Sequence, residues 1–188
     1  YELQDSTLGL MGFGSIAYET ATIAQGIGLN VIIYDPGQPK EELPEGIGYV
    51  DELIDLFRES DAVSLHVPLV EGTYHAVSTD QFEALGEHGI LINTSRGGVV
   101  DKDALLEALD NDVIAGAGID NFEQEPPGAD HPIYDHDEVI MTPHIAGVTY
   151  DSLERMSRSA AANVRTVYEG GLPESTVNRE TLEGGMVE

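Results

Sequence analysis

The chain has 188 residues, with 35 Asp and Glu against 8 Lys and Arg, giving a formal net charge of -27. So acidic a surface argues against nucleic acid as a partner. The absence of cysteine excludes disulfides, thiolate metal sites and Cys nucleophiles together, and no apolar run approaches the eighteen or so residues of a membrane span.

A chain of this length can hold one domain with a core of its own. No basic-then-apolar leader opens it, which reads as cytoplasmic. The acids are scattered from Glu2 to Glu188, and only Lys40 and Lys102 are lysine. Self-repulsion on that scale is costly at low ionic strength and tolerable where salt shortens the Debye length. A halophilic protein in a salt-rich cytoplasm is the favoured explanation, and an ordinary acidic protein the alternative.

In chain order, a short apolar strand over residues 7–11 is followed by a helix over 15–25. Further short β-branched or Leu-rich runs at 29–34, 62–67, 90–93, 114–119 and 139–141 read as buried strands. Between them, 51–59, 79–85 and 101–109 space apolar residues three and four apart behind Asp or Thr, the mark of capped crossover helices. This alternation predicts an α/β fold, a doubly wound parallel sheet of Rossmann type with helices on both faces. The longest helix is expected over 149–169, stopped by Gly170, Gly171 and Pro173, with a loose tail beyond it. The loop over 121–136, with three Pro and a Gly, is the one dense in turn residues, and long loops of that kind are often functional. With the first strand starting at residue 7, the chain reads as an excised domain.

Gly12-Phe13-Gly14-Ser15-Ile16-Ala17 follows the first strand and opens the first helix, a G-x-G-x-x-A run in the setting a dinucleotide requires. Gly12 permits the tight turn and Gly14 a close backbone approach to a pyrophosphate, while Ala17 lets the helix pack on the strand. The free N–H groups of Ser15, Ile16 and their neighbours then face the phosphates. The second strand ends at Asp35, where a carboxylate can accept from both hydroxyls of an adenosine ribose. Asp before Pro is also a common turn opener, but the fingerprint context favours the ribose. Pro36 follows and the nearest cation is Lys40, so nothing holds a 2'-phosphate and NAD is preferred over NADP.

Ligands of this fold bind beyond the carboxyl ends of the strands. The third predicted strand ends in His66-Val67-Pro68, the fourth in Asn93-Thr94-Ser95-Arg96-Gly97-Gly98, the fifth in Asp120 and the sixth in Thr142-Pro143-His144. With residues 9–17, 66–73, 93–101, 116–127 and 142–147, the chain resembles the nucleotide-binding domain of the D-isomer-specific 2-hydroxyacid dehydrogenases. That resemblance implies an NAD-binding domain over residues 1–170, a polar tail over 171–188, and a substrate-binding domain absent from this chain. It makes Arg96, Glu125 and His144 the catalytic residues, places Asp120 and His144 at the nicotinamide, and puts Pro68, Thr73 and Thr94 along the cofactor cleft. It further implies a D-2-hydroxy acid or 2-keto acid as substrate, 3-phosphoglycerate first, with glyoxylate and hydroxypyruvate as alternatives, and a homodimer formed through this domain. The apolar residues of 145–148 and of the last helix through Met156 and Val164 are candidate contacts, with burial inside the monomer the competing reading.

The chemistry agrees with these roles. Arg offers a two-pronged grip on a carboxylate, and His144 is the acid whose type titrates near neutrality, favoured as imidazolium beside a Glu. The other histidines form no metal-ligand pairing on one helix, and no metal site is expected. Ser15 stands where many relatives carry Arg, leaving phosphate binding to the backbone. A corepressor-like NAD-binding protein of the same fold leaves the intact trio without work, and a methyltransferase leaves Arg96 and His144 unexplained.

Overall fold

The structure, a computed structural model, describes residues 2–184, so Tyr1 and residues 185–188 of the expected tail lie outside it. Its strands are β1 (Thr7–Met11), β2 (Asn30–Tyr34), β3 (Ile47–Tyr49), β4 (Ala62–Leu65), β5 (Ile90–Asn93), β6 (Gly116–Ile119) and β7 (Val139–Met141). They form one sheet in the order β3-β2-β1-β4-β5-β6-β7, and every pairing is parallel. The predicted Rossmann-type sheet is therefore present, with one strand more than the six expected. β3 was missed because Ile47-Gly48-Tyr49 is too short to show a period, and it is recruited by pairing with Val31, Ile32 and Ile33. The run at 114–119 pairs only from Gly116, although Ile114 is buried.

Alternation along β1 sends Leu8 and Leu10 to one face, where they pack with Ala17, Ala21 and Ala24 of α1 (Ser15–Gly26). Small alanines bring that helix close to the strands. Met11 faces the other way, into the larger core filled by α2 (Leu53–Arg58), α3 (Thr79–Leu85) and α4 (Lys102–Asp110). Phe57, Phe82 and Leu91 are wholly buried there. α3 and α4 begin behind side-chain caps: Ser78 and Gln81 make a capping box before α3, and the Asp101 carboxylate accepts from the Asp103 and Ala104 amides ahead of α4, whereas α2 starts two residues later than expected, behind Glu52, with no side-chain cap.

The chain divides into two compact units, Tyr1–Ala146 and Gly147–Glu188. The second holds α5 (Tyr150–Tyr168), capped by Thr149 and Ser152, and α6 (Arg179–Gly184), a short helix inside the segment read as a tail. No helix among the described residues is long and apolar enough to cross a membrane.

Because all seven strands run parallel, the loops after β1, β2, β4, β5, β6 and β7 gather on one rim. The chain reverses direction across the sheet between β1 and β4, and a crevice opens at such a switch point. There Gly12, at φ 91°, lies so close to the segment after β4 that an added Cβ would stand 2.8 Å from Val67 Cγ1 and 3.0 Å from the His66 carbonyl oxygen.

Candidate active site

The first loop on this rim has the form of a phosphate cradle. α1 starts at Ser15 with Gly14 as its N-cap, no side chain caps it, and no acid lies in its first turn. In a chain so rich in carboxylates, that omission leaves the helix N–H groups and the positive end of the helix dipole open to an anion. A Cβ on Gly14 would meet nothing within 4 Å, so the space in front of its backbone is free. Gly14, Ser15 and Ile16 are exposed at this opening, and Gly12 and Ala17 are buried behind them.

Asp35 stands beside the cradle. Its Oδ2 accepts from the Phe13 amide at 2.8 Å and its Oδ1 from the Gly37 amide at 2.8 Å. The carboxylate thus braces the fingerprint turn, and each oxygen keeps acceptor capacity for a ribose hydroxyl. Lys40 does not reach it as a free cation: its Nζ pairs with Asp51 at 2.6 Å and lies 4.5 Å from the Tyr49 ring centroid. These residues fit NAD, and they offer no partner for a 2'-phosphate.

Beyond β4, the Thr73 hydroxyl donates to the Pro68 carbonyl at 2.6 Å and accepts from the Val70 amide at 2.9 Å. It staples the 68–73 loop, with Pro68 exposed at its start. His66 is largely enclosed, its Nε2 3.0 Å from Ser64 Oγ, and burial pushes its pKa down, which makes it a neutral structural residue.

The end of β5 presents Arg96. Buried Asn93 shapes this turn, accepting from the Ser95 amide and hydroxyl and donating Nδ2 to the Arg96 carbonyl at 3.0 Å. The Arg96 guanidinium is exposed, with Nη1 on the Ser95 carbonyl at 2.7 Å, and Thr94 is exposed beside it.

After β6, buried Asp120 organises the turn that carries His144. The Asp120 carbonyl accepts from the His144 amide at 2.7 Å, and its carboxylate accepts from the Thr142 hydroxyl, the Ile145 amide at 2.8 Å and the Ala146 amide at 3.0 Å. Burial alone would raise this carboxyl, but the three donors outweigh it and hold the group below the ordinary range. His144 itself has φ 57°, a left-handed conformation that a non-glycine residue adopts only when its surroundings enforce it.

His144 Nδ1 lies 2.8 Å from Glu125 Oε2 and 3.1 Å from Oε1. Glu125 Oε1 is also held by the Phe122 amide at 3.1 Å. The bond from His144, then that from Phe122, keeps Glu125 below the usual carboxylate range, with nearby Arg96 adding to the effect. With Nδ1 turned to the carboxylate, Nε2 is the nitrogen left to serve a ligand.

Arg96, Glu125 and His144 line one cavity of about 310 Å³, together with Leu69, Tyr74, Phe122 and Glu123. The expected trio is thus assembled from three separate loops. Sequence reasoning gave no role to Asn93, whose side chain supports the Arg96 turn, or to Tyr74 and Glu123, which line the same cavity. A second cavity of about 310 Å³, between α4 and the 121–133 loop, contains none of the three. Among the described residues, no group of three or more His, Cys, Asp or Glu could hold a metal ion.

A parallel sheet with an open helix end at its switch point, a carboxylate at the end of β2 and a carboxylate–imidazole pair on the loops after β6 and β7 has the layout of a dinucleotide-binding domain. Residues 1–146 match the D-isomer specific 2-hydroxyacid dehydrogenase, NAD binding domain, and the chain belongs to that family. It is 40% identical over 184 residues to the glyoxylate reductase of Korarchaeum cryptofilum, covering 97% of this chain and 55% of the relative. It is 43% identical over 166 residues to the (S)-sulfolactate dehydrogenase of Chromohalobacter salexigens, covering 88% of this chain and 54% of the relative. Among solved structures, the NAD-complexed D-isomer specific 2-hydroxyacid dehydrogenase of Lactobacillus delbrueckii ssp. bulgaricus superposes with a TM-score of 0.83 at 32% identity, over 95% of this chain and 58% of that one. The chain thus spans about half the length of these relatives, and as a member of an NAD binding domain family its cofactor is NAD.

Proposed function

We propose that the protein carrying this domain is an NAD-dependent dehydrogenase that interconverts D-2-hydroxy acids and 2-keto acids. The observation that carries this reading is the His144–Glu125 pair opening into the same cavity as Arg96. Gly12, Gly14, Ser15, Ile16 and Asp35 hold the pyrophosphate and adenosine ribose of the dinucleotide, and Pro68, Thr73 and Thr94 border its path to the active site. Bound NADH supplies the hydride. Arg96 grips the substrate carboxylate and polarises the neighbouring carbonyl. His144 Nε2 donates a proton to the carbonyl oxygen during reduction and takes it back during oxidation, while Glu125 fixes the ring through Nδ1. Asp120 acts by holding the His144 turn as well as at the nicotinamide edge.

Relatives named for glyoxylate and for sulfolactate bracket the choice of substrate, and 3-phosphoglycerate and hydroxypyruvate belong to the same chemical series. The test follows NADH oxidation by the full-length protein with glyoxylate, hydroxypyruvate and phosphohydroxypyruvate, beside NAD and NADP titrations of the 188-residue chain. We expect turnover from the full-length protein, and NAD binding without turnover from the chain, because hydride transfer needs reacting atoms held at about 3 to 3.5 Å away from water. Full-length protein that binds NAD but reduces no 2-keto acid overturns the reading.

We further infer a salt-rich cytoplasm as the working environment, with small-molecule substrates and neither nucleic acid nor membrane as partners. The support is the charge of -27 and the scarcity of cations to offset it. The thermal midpoint should rise steeply from dilute buffer to molar KCl, and a flat profile removes this inference. A homodimer through this domain is proposed on the resemblance. It is supported by an α5 with no buried residue that exposes Leu153, Met156, Val164 and Val167.

A further inference from the structure

The cavity that holds the catalytic trio has an unbalanced charge. Arg96 is the only Lys or Arg among the described residues that line it, whereas Glu123 and Glu125 both do. Glu125 is engaged by His144, and as carboxylate and imidazolium that pair is neutral. The Arg96 charge is then matched by the carboxylate of the substrate. Glu123 is left over, a second negative group in the wall of a space already holding one anion.

Glu123 is held there. Its backbone seats against Gly97, where an added Cβ would stand 2.0 Å from Phe122 C and 2.2 Å from Glu123 N. The Tyr74 hydroxyl donates to Glu123 Oε1 at 3.0 Å, and Tyr74 is itself packed near Gly98 and stacked on His75 with ring centroids 3.9 Å apart. His75 Nε2 is 3.7 Å from the same oxygen, beyond hydrogen-bond reach though within ion-pair range of a protonated ring, and Glu123 also lines the neighbouring cavity with Lys102, whose Nζ is 3.3 Å from Asp103. The remaining wall, Leu69, Tyr74 and Phe122, is apolar or aromatic.

We propose that Glu123, set by Tyr74 and Gly97, is a specificity-determining residue that admits 2-keto acids with uncharged side chains and rejects those bearing a second anionic group such as phosphate or sulfonate. This rests on the dehydrogenase reading and narrows it to glyoxylate- and hydroxypyruvate-like substrates. Two like charges about 6 Å apart at an effective dielectric near 20 repel enough for roughly a hundredfold discrimination. Because Glu123 is 44% exposed, about tenfold is the expected size.

The experiment uses the full-length enzyme and two substrates differing only in the charged group, hydroxypyruvate and phosphohydroxypyruvate. The parent should favour hydroxypyruvate in kcat/KM, and Glu123→Gln should move the ratio about tenfold toward the phosphorylated substrate. Gln keeps the size of the side chain and an oxygen for Tyr74, and an unchanged melting midpoint confirms the fold. Molar KCl should narrow the parent's ratio and leave that of the variant nearly constant, as charge repulsion requires and steric exclusion does not. A parent that prefers the phosphorylated substrate, or a ratio that Glu123→Gln does not move, overturns the proposal while leaving a dehydrogenase. Failure with every 2-keto acid overturns the dehydrogenase reading itself.

Discussion

The two ends of the rim are built differently. At the cofactor end, the cradle comes from one local segment, the Gly12–Ser15 turn and the helix it opens, joined by a single more distant carboxylate, Asp35, that reaches 2.8 Å to the Phe13 amide. At the catalytic end, three side chains arrive on loops after β5, β6 and β7, and His144 sits in a left-handed conformation. The first end works through backbone geometry that almost any intervening side chain leaves intact. The second depends on buried supports, Asn93 under Arg96 and Asp120 under His144. Binding should therefore survive changes that abolish chemistry.

The largest separation is expected from His144→Ala. In the full-length enzyme, removing the positioned acid should lower kcat by about a hundred- to ten-thousandfold while the NAD dissociation constant stays near that of the parent. Reduction draws a proton from His144 Nε2 and oxidation returns it, so the loss should appear in both directions. Glu125 stays ionised below the usual carboxylate range, so the pair persists into mild acid. Glu125→Gln removes the ionised partner that fixes the ring through Nδ1 and should lower kcat in both directions by less than His144→Ala does. Parental rates in His144→Ala in both directions would exclude it as the acid.

This contrast also explains what could be read from sequence. The fold was legible because most of its strands and helices carry their own period, and α3 and α4 their own caps in Ser78 and Asp101. β3 was not, since three residues with a central Gly acquire strand structure only by pairing with β2. The Gly12–Ser15 turn and the start of α1 were legible because they are local. At the catalytic end, motif resemblance supplied Arg96, Glu125 and His144, yet nothing in the spacing says that Gly97 lets the Phe122–Glu123 backbone close against it, or that Tyr74 meets Glu123 across 49 residues. Contacts between distant loops have no sequence period to betray them.

The next effect in size belongs to the cofactor end. Asp35→Ala should weaken NAD binding by about 1.5 to 3 kcal/mol, the range for hydrogen bonds to a charged group, and should narrow discrimination against NADP because the charge that repels a 2'-phosphate is gone. The bond to the Phe13 amide adds a cradle effect. Asp35→Asn, which keeps an acceptor oxygen for that amide, should retain more affinity than Asp35→Ala. Calorimetric titration reads both, and an affinity unchanged in Asp35→Ala would reduce the residue to a turn opener.

The smallest effect tests the support beneath His144. Thr142→Val keeps the shape of the side chain and deletes one of the three donors to the Asp120 carboxylate, leaving the Ile145 and Ala146 amides in place. The loss should lie at the low end of the range for a bond to a charged group, about 1.5 kcal/mol at neutral pH. Its pH dependence follows from the depressed carboxyl. A group whose folded pKa lies below its unfolded value stabilises fully above the unfolded pKa, about 3.9 for Asp, and loses that contribution as pH falls through the folded value. The gap in stability between parent and variant should therefore be constant from neutrality to about pH 5 and shrink below about pH 4, as Asp120 takes up a proton in both proteins. Denaturant melts across that range measure it. A gap that persists unchanged into acid would mean that the hydroxyl acts through packing, and that the charge on Asp120 does not carry the strained turn.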